Sequence, residues 1–136
     1  MRIFSLKGKR AELLAAILLA GVLLPLAANS AELEMLDRLE RGEWDLRIRD
    51  DGSHQRICLQ TGKELIQLRH RQPGCSQFVV KDEPNQVIVQ YTCPGNGYGR
   101  TTIRRESSKL VQVTSQGIVN GVPFSFGGEA RHQGDC

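Results

Sequence analysis

Residues 110–131 read LVQVTSQGIVNGVPFSFGGEAR, and this stretch decides the fold. Apolar and polar residues alternate on both sides of Asn120-Gly121, a dipeptide suited to a two-residue type I′ turn because both positions tolerate positive φ. Such a turn sets the register by arithmetic, since facing residue numbers must sum to 241. Val111 then faces Ala130, Val113 faces Gly128, Ser115 faces Phe126, Gly117 faces Phe124 and Val119 faces Val122. These pairs make one face of apolar, small and aromatic residues. Gln112, Thr114, Gln116, Ser125, Glu129 and Arg131 make the other, so the hairpin packs one side on a core and wets the other.

The same alternation recurs upstream. Trp44, Leu46 and Ile48 alternate with Asp45, Arg47 and Arg49 up to an Asp51-Gly52 turn, and His54 to Leu59 returns as the partner strand. Thr61 and Glu64 have the spacing of a capping box, and Leu65, Ile66 and Leu68 follow at helical spacing until Pro73-Gly74, which predicts a short helix between two β segments. Phe78 to Val80 and Val87 to Tyr91 form a second hairpin about the Asp82–Asn85 turn, after which Gly95, Gly97 and Gly99 are expected to loosen the loop. Thr101 and Ile103 lie on a further strand ahead of a Ser107-Ser108 turn. Leu33, Met35, Leu36 and Leu39 predict a short amphipathic helix ending near Arg41. The expected fold class is mainly β: a small antiparallel curled sheet, barrel-like or sandwich, with about seven strands in meander order, one short inserted helix and a short N-terminal helix.

Arg2, Lys7, Lys9 and Arg10 precede an apolar run from Leu13 to Leu26, and Ala28 and Ser30 supply small residues at a cleavage point. This is the pattern of a secretory signal over residues 1–30, cut after Ser30 or Ala31. The run is short for a membrane helix, which needs about 20 residues, so no membrane span is expected after cleavage. Residues 31–43 then form a short helix and lead-in, and residues 44–136 a disulfide-bonded β domain. Four of the 18 basic and one of the 15 acidic residues fall in the first thirty, which leaves 14 of each in the remainder. The alkaline pI therefore belongs to the leader, and the charge pattern supplies no footprint for nucleic acid.

All four cysteines, Cys58, Cys75, Cys93 and Cys136, follow the leader, and an even count in a small exported domain predicts a disulfide framework. The bacterial periplasm is the expected compartment. Cys75 and Cys93 lie symmetrically about Pro84, so a three-residue loop from Glu83 to Asn85 sets them opposite each other on the hairpin and leaves Cys58 to Cys136. A register shifted by one pairs Phe78 with Val89 and Val80 with Val87, puts the two cysteines on opposite faces and favours a Cys58–Cys75 bond instead. A β-bulge reconciles cysteine pairing with apolar pairing.

Motifs with chemical potential are sparse. His54 and Cys58, like His132 and Cys136, are four residues apart, but on a strand that spacing is about 13 Å at ~3.3 Å per residue, too far for joint chelation. No metal or cofactor is expected. Gly95-Asn96-Gly97-Tyr98-Gly99 precedes a strand rather than a helix N-terminus, unlike a phosphate-binding loop. Arg69, His70 and Arg71, with Arg47, Arg49 and Arg56, read either as an anion-binding patch or as a solvated face balanced by acids. No spacing assembles a catalytic triad, and no catalytic residue is assigned.

Gly42-Glu43-Trp44 opening a strand, Arg56-Ile57-Cys58-Leu59, Leu65-Ile66-Gln67-Leu68-Arg69-His70, Cys75, Tyr91-Thr92-Cys93-Pro94-Gly95, Gly99-Arg100-Thr101-Thr102, Gln116-Gly117-Ile118 and a terminal Gly134-Asp135-Cys136 occur in order. The set resembles domain of unknown function 3617 (DUF3617) over nearly all of the chain after the leader. The resemblance implies a small β protein of the bacterial envelope and carries no activity, substrate or catalytic residue with it.

The functional expectation is a non-enzymatic module whose concave face holds an apolar or amphipathic ligand or an envelope protein. Two alternatives stand beside it: a structural envelope component without small-ligand binding, and a hydrolase-type enzyme using His70 or His132.

Overall fold

The computed structural model describes residues 33–136, so the expected leader and its cleavage point lie outside the described residues. A short helix α1 (Glu34–Asp37) precedes seven strands: β1 (Gly42–Ile48), β2 (His54–Leu59), β3 (Ser76–Glu83), β4 (Gln86–Cys93), β5 (Gly97–Ser107), β6 (Leu110–Val119) and β7 (Val122–Gly134). They form one antiparallel sheet in the order β2-β1-β7-β6-β5-β4-β3. The mainly β class and the strand number match the sequence reading. The sheet stays open, however, with β2 and β3 as its two edges, so neither a closed barrel nor a two-sheet sandwich forms.

The meander holds from β3 to β7 and then breaks, because β1 pairs with β7 and carries β2 outward with it. Alternation within a hairpin says nothing about which neighbour that hairpin joins. Here Gly128 of β7 leaves the space in which Leu46 and the Arg47 backbone of β1 sit. The β6–β7 ladder follows the sum-241 register from Val111 with Ala130 to Val119 with Val122, and the turn has Asn120 at φ 49° and Gly121 at φ 76°.

The β3–β4 hairpin uses two registers. Ser76 faces Thr92 and Val79 faces Val89, whereas past a bulge at Val80 Lys81 faces Ile88 and Glu83 faces Gln86. The turn is thus two residues, Pro84-Asn85, rather than three. The cysteine end keeps its opposed register, and the bulge takes up the extra residue. Phe78 and Val80 consequently gain no apolar cross-strand partners and are 69% and 42% exposed.

One face of the sheet is the core. Trp44, Leu46, Ile57, Leu59, Val87, Val89, Tyr91, Ile103, Val111, Val113, Phe126 and Ala130 are all buried there. Burying each large side chain contributes roughly 1.5–3 kcal/mol. Two segments cover them. Leu33, Met35, Leu36 and Leu39 of the α1 region form one, anchored where Trp44 Nε1 donates to the Glu40 carbonyl at 2.8 Å. Residues 60–75 form the other. Because β2 and β3 are opposite edges, this connection must cross the sheet, and Leu65, Ile66 and Leu68 are pressed onto it. Only one 3-10 turn, Lys63–Leu65, takes the place of the expected helix. The Thr61–Glu64 pairing is still made, with the Glu64 carboxylate accepting from Thr61 N and Oγ1 at 3.2 Å. Packing across the sheet, rather than along a helix face, satisfies the apolar spacing.

Candidate functional site

The crossing segment is held by a buried polar chain. The Thr101 hydroxyl donates to the Ile66 carbonyl at 2.6 Å and accepts from Ser115 at 2.8 Å. His70, 1% exposed, has its Nε2 2.9 Å from the Asn96 carbonyl and 3.0 Å from that of Ile118. Both partners only accept, so Nε2 carries a proton; in the neutral ring Nδ1 then accepts from the Tyr91 hydroxyl at 3.0 Å. Burial raises the Tyr91 phenol above its usual range, and the nearby Ser115 hydroxyl opposes that shift.

The slot for His70 is made by a row across four strands: Tyr91, Gly99, Gly117 and Phe124. A Cβ on Gly99 would collide with the Tyr91 ring and hydroxyl, and one on Gly117 with the β5 backbone. Two glycines therefore form a floor between two aromatic walls, whose ring centroids lie 5.2 and 5.9 Å from that of His70. Gly97 and Gly99 belong to β5 and do not loosen a loop; only Pro94, Gly95 and Asn96 lie between β4 and β5. The missed signal was parity, since the register of residues 110–131 already put Gly117 on the core face opposite Phe124.

His132 is placed differently. Its Nε2 donates to the Arg41 carbonyl at 3.0 Å, and its ring meets Trp44 edge-on at 5.9 Å. Neither His70 nor His132 has a serine, threonine or cysteine among its hydrogen-bond partners in the described residues. Their contacts tie segments together. His54 is a third case, bound at the surface to Asp45 at 2.7 Å.

The four cysteines form two pairs at bonding distance, Cys58 with Cys136 and Cys75 with Cys93. The first reaches from β2 past β1 to the segment beyond β7. The second closes the point where the crossing segment enters β3. Disulfides of this kind belong to an oxidising, non-cytoplasmic compartment. Among the described residues no helix is long and apolar enough to cross a membrane, and no group of three His, Cys, Asp or Glu is placed to hold a metal ion.

Residues 60–75 and the α1 region thus cover the inner face of the sheet. The opposite face carries two rows: Phe78, Gln90, Arg100, Gln116 and Ser125, and next to it Ser76, Thr92, Tyr98, Ile118 and Pro123. A shallow groove of about 450 Å³ runs between Tyr98, Arg100, Ile118 and Pro123. Tyr98 is 47% exposed. Elsewhere on this face Arg131 pairs with Glu129 at 2.6 Å and Arg104 with Glu106 at 3.0 Å. Arg49 bonds Gln112, and Arg69 lies over the Phe126 ring at 5.1 Å. The basic residues clustered in sequence are therefore dispersed, apart from Arg56 and Arg71, which share a crevice. Compared with family models, curated proteins and solved structures, the chain matches none of them.

Proposed function

We propose that this chain is an exported, non-enzymatic binding module of the bacterial periplasm, similar in kind to the DUF3617 proteins, with its docking surface on the outer face of the sheet. One observation carries the reading: the inner face is closed by residues 60–75, while the outer face presents Tyr98, Phe78 and Ile118 beside the guanidinium of Arg100 and the amides of Gln90 and Gln116. Exposed aromatic rings next to arginine and amide groups suit an amphipathic partner, because rings supply contact area at low entropic cost and the polar groups set orientation. The basic leader, the apolar run and the disulfides support export.

Native mass spectrometry of periplasmic protein tests this. The expected species begins at Ala31 or Glu32, carries two disulfides and retains a partner or amphipathic molecule that is lost in a Tyr98→Ala/Arg100→Glu variant. A protein that starts at Met1, or an association indifferent to that variant, overturns the proposal. Copurification with one envelope protein and no small molecule marks a structural envelope component instead.

A further inference from the structure

A second surface lies at the open edge of β2, away from the outer groove. There the crossing segment leaves a crevice of about 390 Å³, within the size range of small-molecule sites. Ile57 and Leu68 supply its apolar lining, both nearly buried, and Lys63 and Arg71 supply two cations; Arg56 borders it at the strand edge, its side chain leaving the opposite face of β2 from Ile57, beside Glu43. Its one acid is Glu64, whose carboxylate is taken up by Gln60 N, Thr61 N and the Thr61 hydroxyl. Among the described residues neither Lys63 nor Arg71 has an acidic partner within 4 Å, and Arg56 meets Glu43 only at 3.9 Å.

The backbone adds donors. Ile48 N donates to Ser53 O, and Arg49 N on the next residue donates the other way, to Gly127 O of β7. The alternation of an antiparallel ladder then turns Trp44 and Ile57 toward each other, so the N–H groups of Arg56 and Cys58 face the open edge. Lys63 and Arg71, two edge amides and, at the rim, Arg56 thus border a crevice whose lining holds a single carboxylate, that of Glu64.

We infer that this crevice binds a compact small molecule with two or more acidic groups, of phosphate or polycarboxylate type. The Arg71 guanidinium suits bidentate contact with either oxyanion, Lys63 adds a point charge, and Arg56 adds a longer-range one from the rim. Ile57 and Leu68 accommodate the body that carries the acids. This site is independent of the outer groove, so either reading can fail alone.

Amide-resolved NMR titration of the oxidised domain with citrate, inorganic phosphate and acetate at constant ionic strength tests the inference. Citrate or phosphate should give saturable shifts at Arg56, Cys58, Lys63 and Arg71 in the millimolar range, and acetate should not saturate. Lys63→Gln/Arg71→Gln should weaken the response at least tenfold with the unfolding midpoint unchanged; if that variant fails to fold, Arg71→Gln read alone should weaken it several-fold. Citrate against phosphate decides the acid type. Non-saturable shifts spread equally over Arg47, Arg100 and Arg104, or a response retained in the variants, overturn it.

Discussion

The His70 imidazole and the Tyr91 hydroxyl meet at 3.0 Å beneath the sheet, linking the crossing segment to β4 across a floor of two glycines. His70 also bonds the Asn96 and Ile118 carbonyls, so one ring joins the crossing segment, the β4–β5 turn and β6. Replacing it leaves a cavity and takes one hydrogen-bond partner from the Tyr91 hydroxyl and from the Asn96 and Ile118 carbonyls. His70→Ala should destabilise the domain by about 3 kcal/mol, and His70→Phe, which refills the volume, still by about 2 kcal/mol. Urea unfolding measures both. Equal stability of His70→Phe and wild type would show that shape alone matters there.

Gly99 tests the floor itself. A methyl group at this position runs into the Tyr91 ring, so Gly99→Ala should cost about 1–3 kcal/mol through overpacking. Tyr91→Leu withdraws the obstructing ring. The double variant should therefore be markedly more stable than the sum of the two single losses predicts, which a double-mutant cycle reads directly.

Tyr91 also gives a pH signature. Its folded-state pKa is raised by burial, so the folded domain holds the phenolic proton more tightly than the unfolded chain does. That contribution is fully present below the unfolded value of about 10 and is lost as pH rises through the higher folded value. Stability should fall above about pH 10 in wild type, and this loss should be smaller in Tyr91→Phe. Parallel pH profiles of the two proteins would sink the assignment.

The two disulfides should differ in weight. Cys58 and Cys136 are 78 residues apart and Cys75 and Cys93 are 18 apart. Chain-entropy arithmetic gives about 4.5 kcal/mol for the longer loop and about 3 kcal/mol for the shorter one. Cys58→Ser/Cys136→Ser should therefore unfold at lower denaturant than Cys75→Ser/Cys93→Ser. The reverse order would mean that native packing, not loop closure, dominates.

Local rules made much of this protein legible. Asn120-Gly121 determined a turn and, through it, the whole β6–β7 register, because a two-residue turn leaves no freedom in pairing. Alternation placed Trp44, Val89 and Val113 on the buried face, because strand side chains alternate with period two. Symmetry about Pro84 brought Cys75 and Cys93 together, although the bulge at Val80 that shortens the turn was open in the sequence. Tertiary structure decided the rest. Docking of β1 on β7 depends on Gly128 meeting Leu46, a contact between residues 82 positions apart that no local pattern encodes. That pairing put β2 and β3 at opposite edges and so forced residues 60–75 across the inner face. The same crossing made His70 a buried cross-link, turned Gly99 from a loop residue into half of a floor with Gly117, and left the outer groove and the β2 crevice accessible. Sequence alone set what each strand buries, because that is a matter of neighbours in the chain; which strand lies beside which was set by contacts between residues far apart in it.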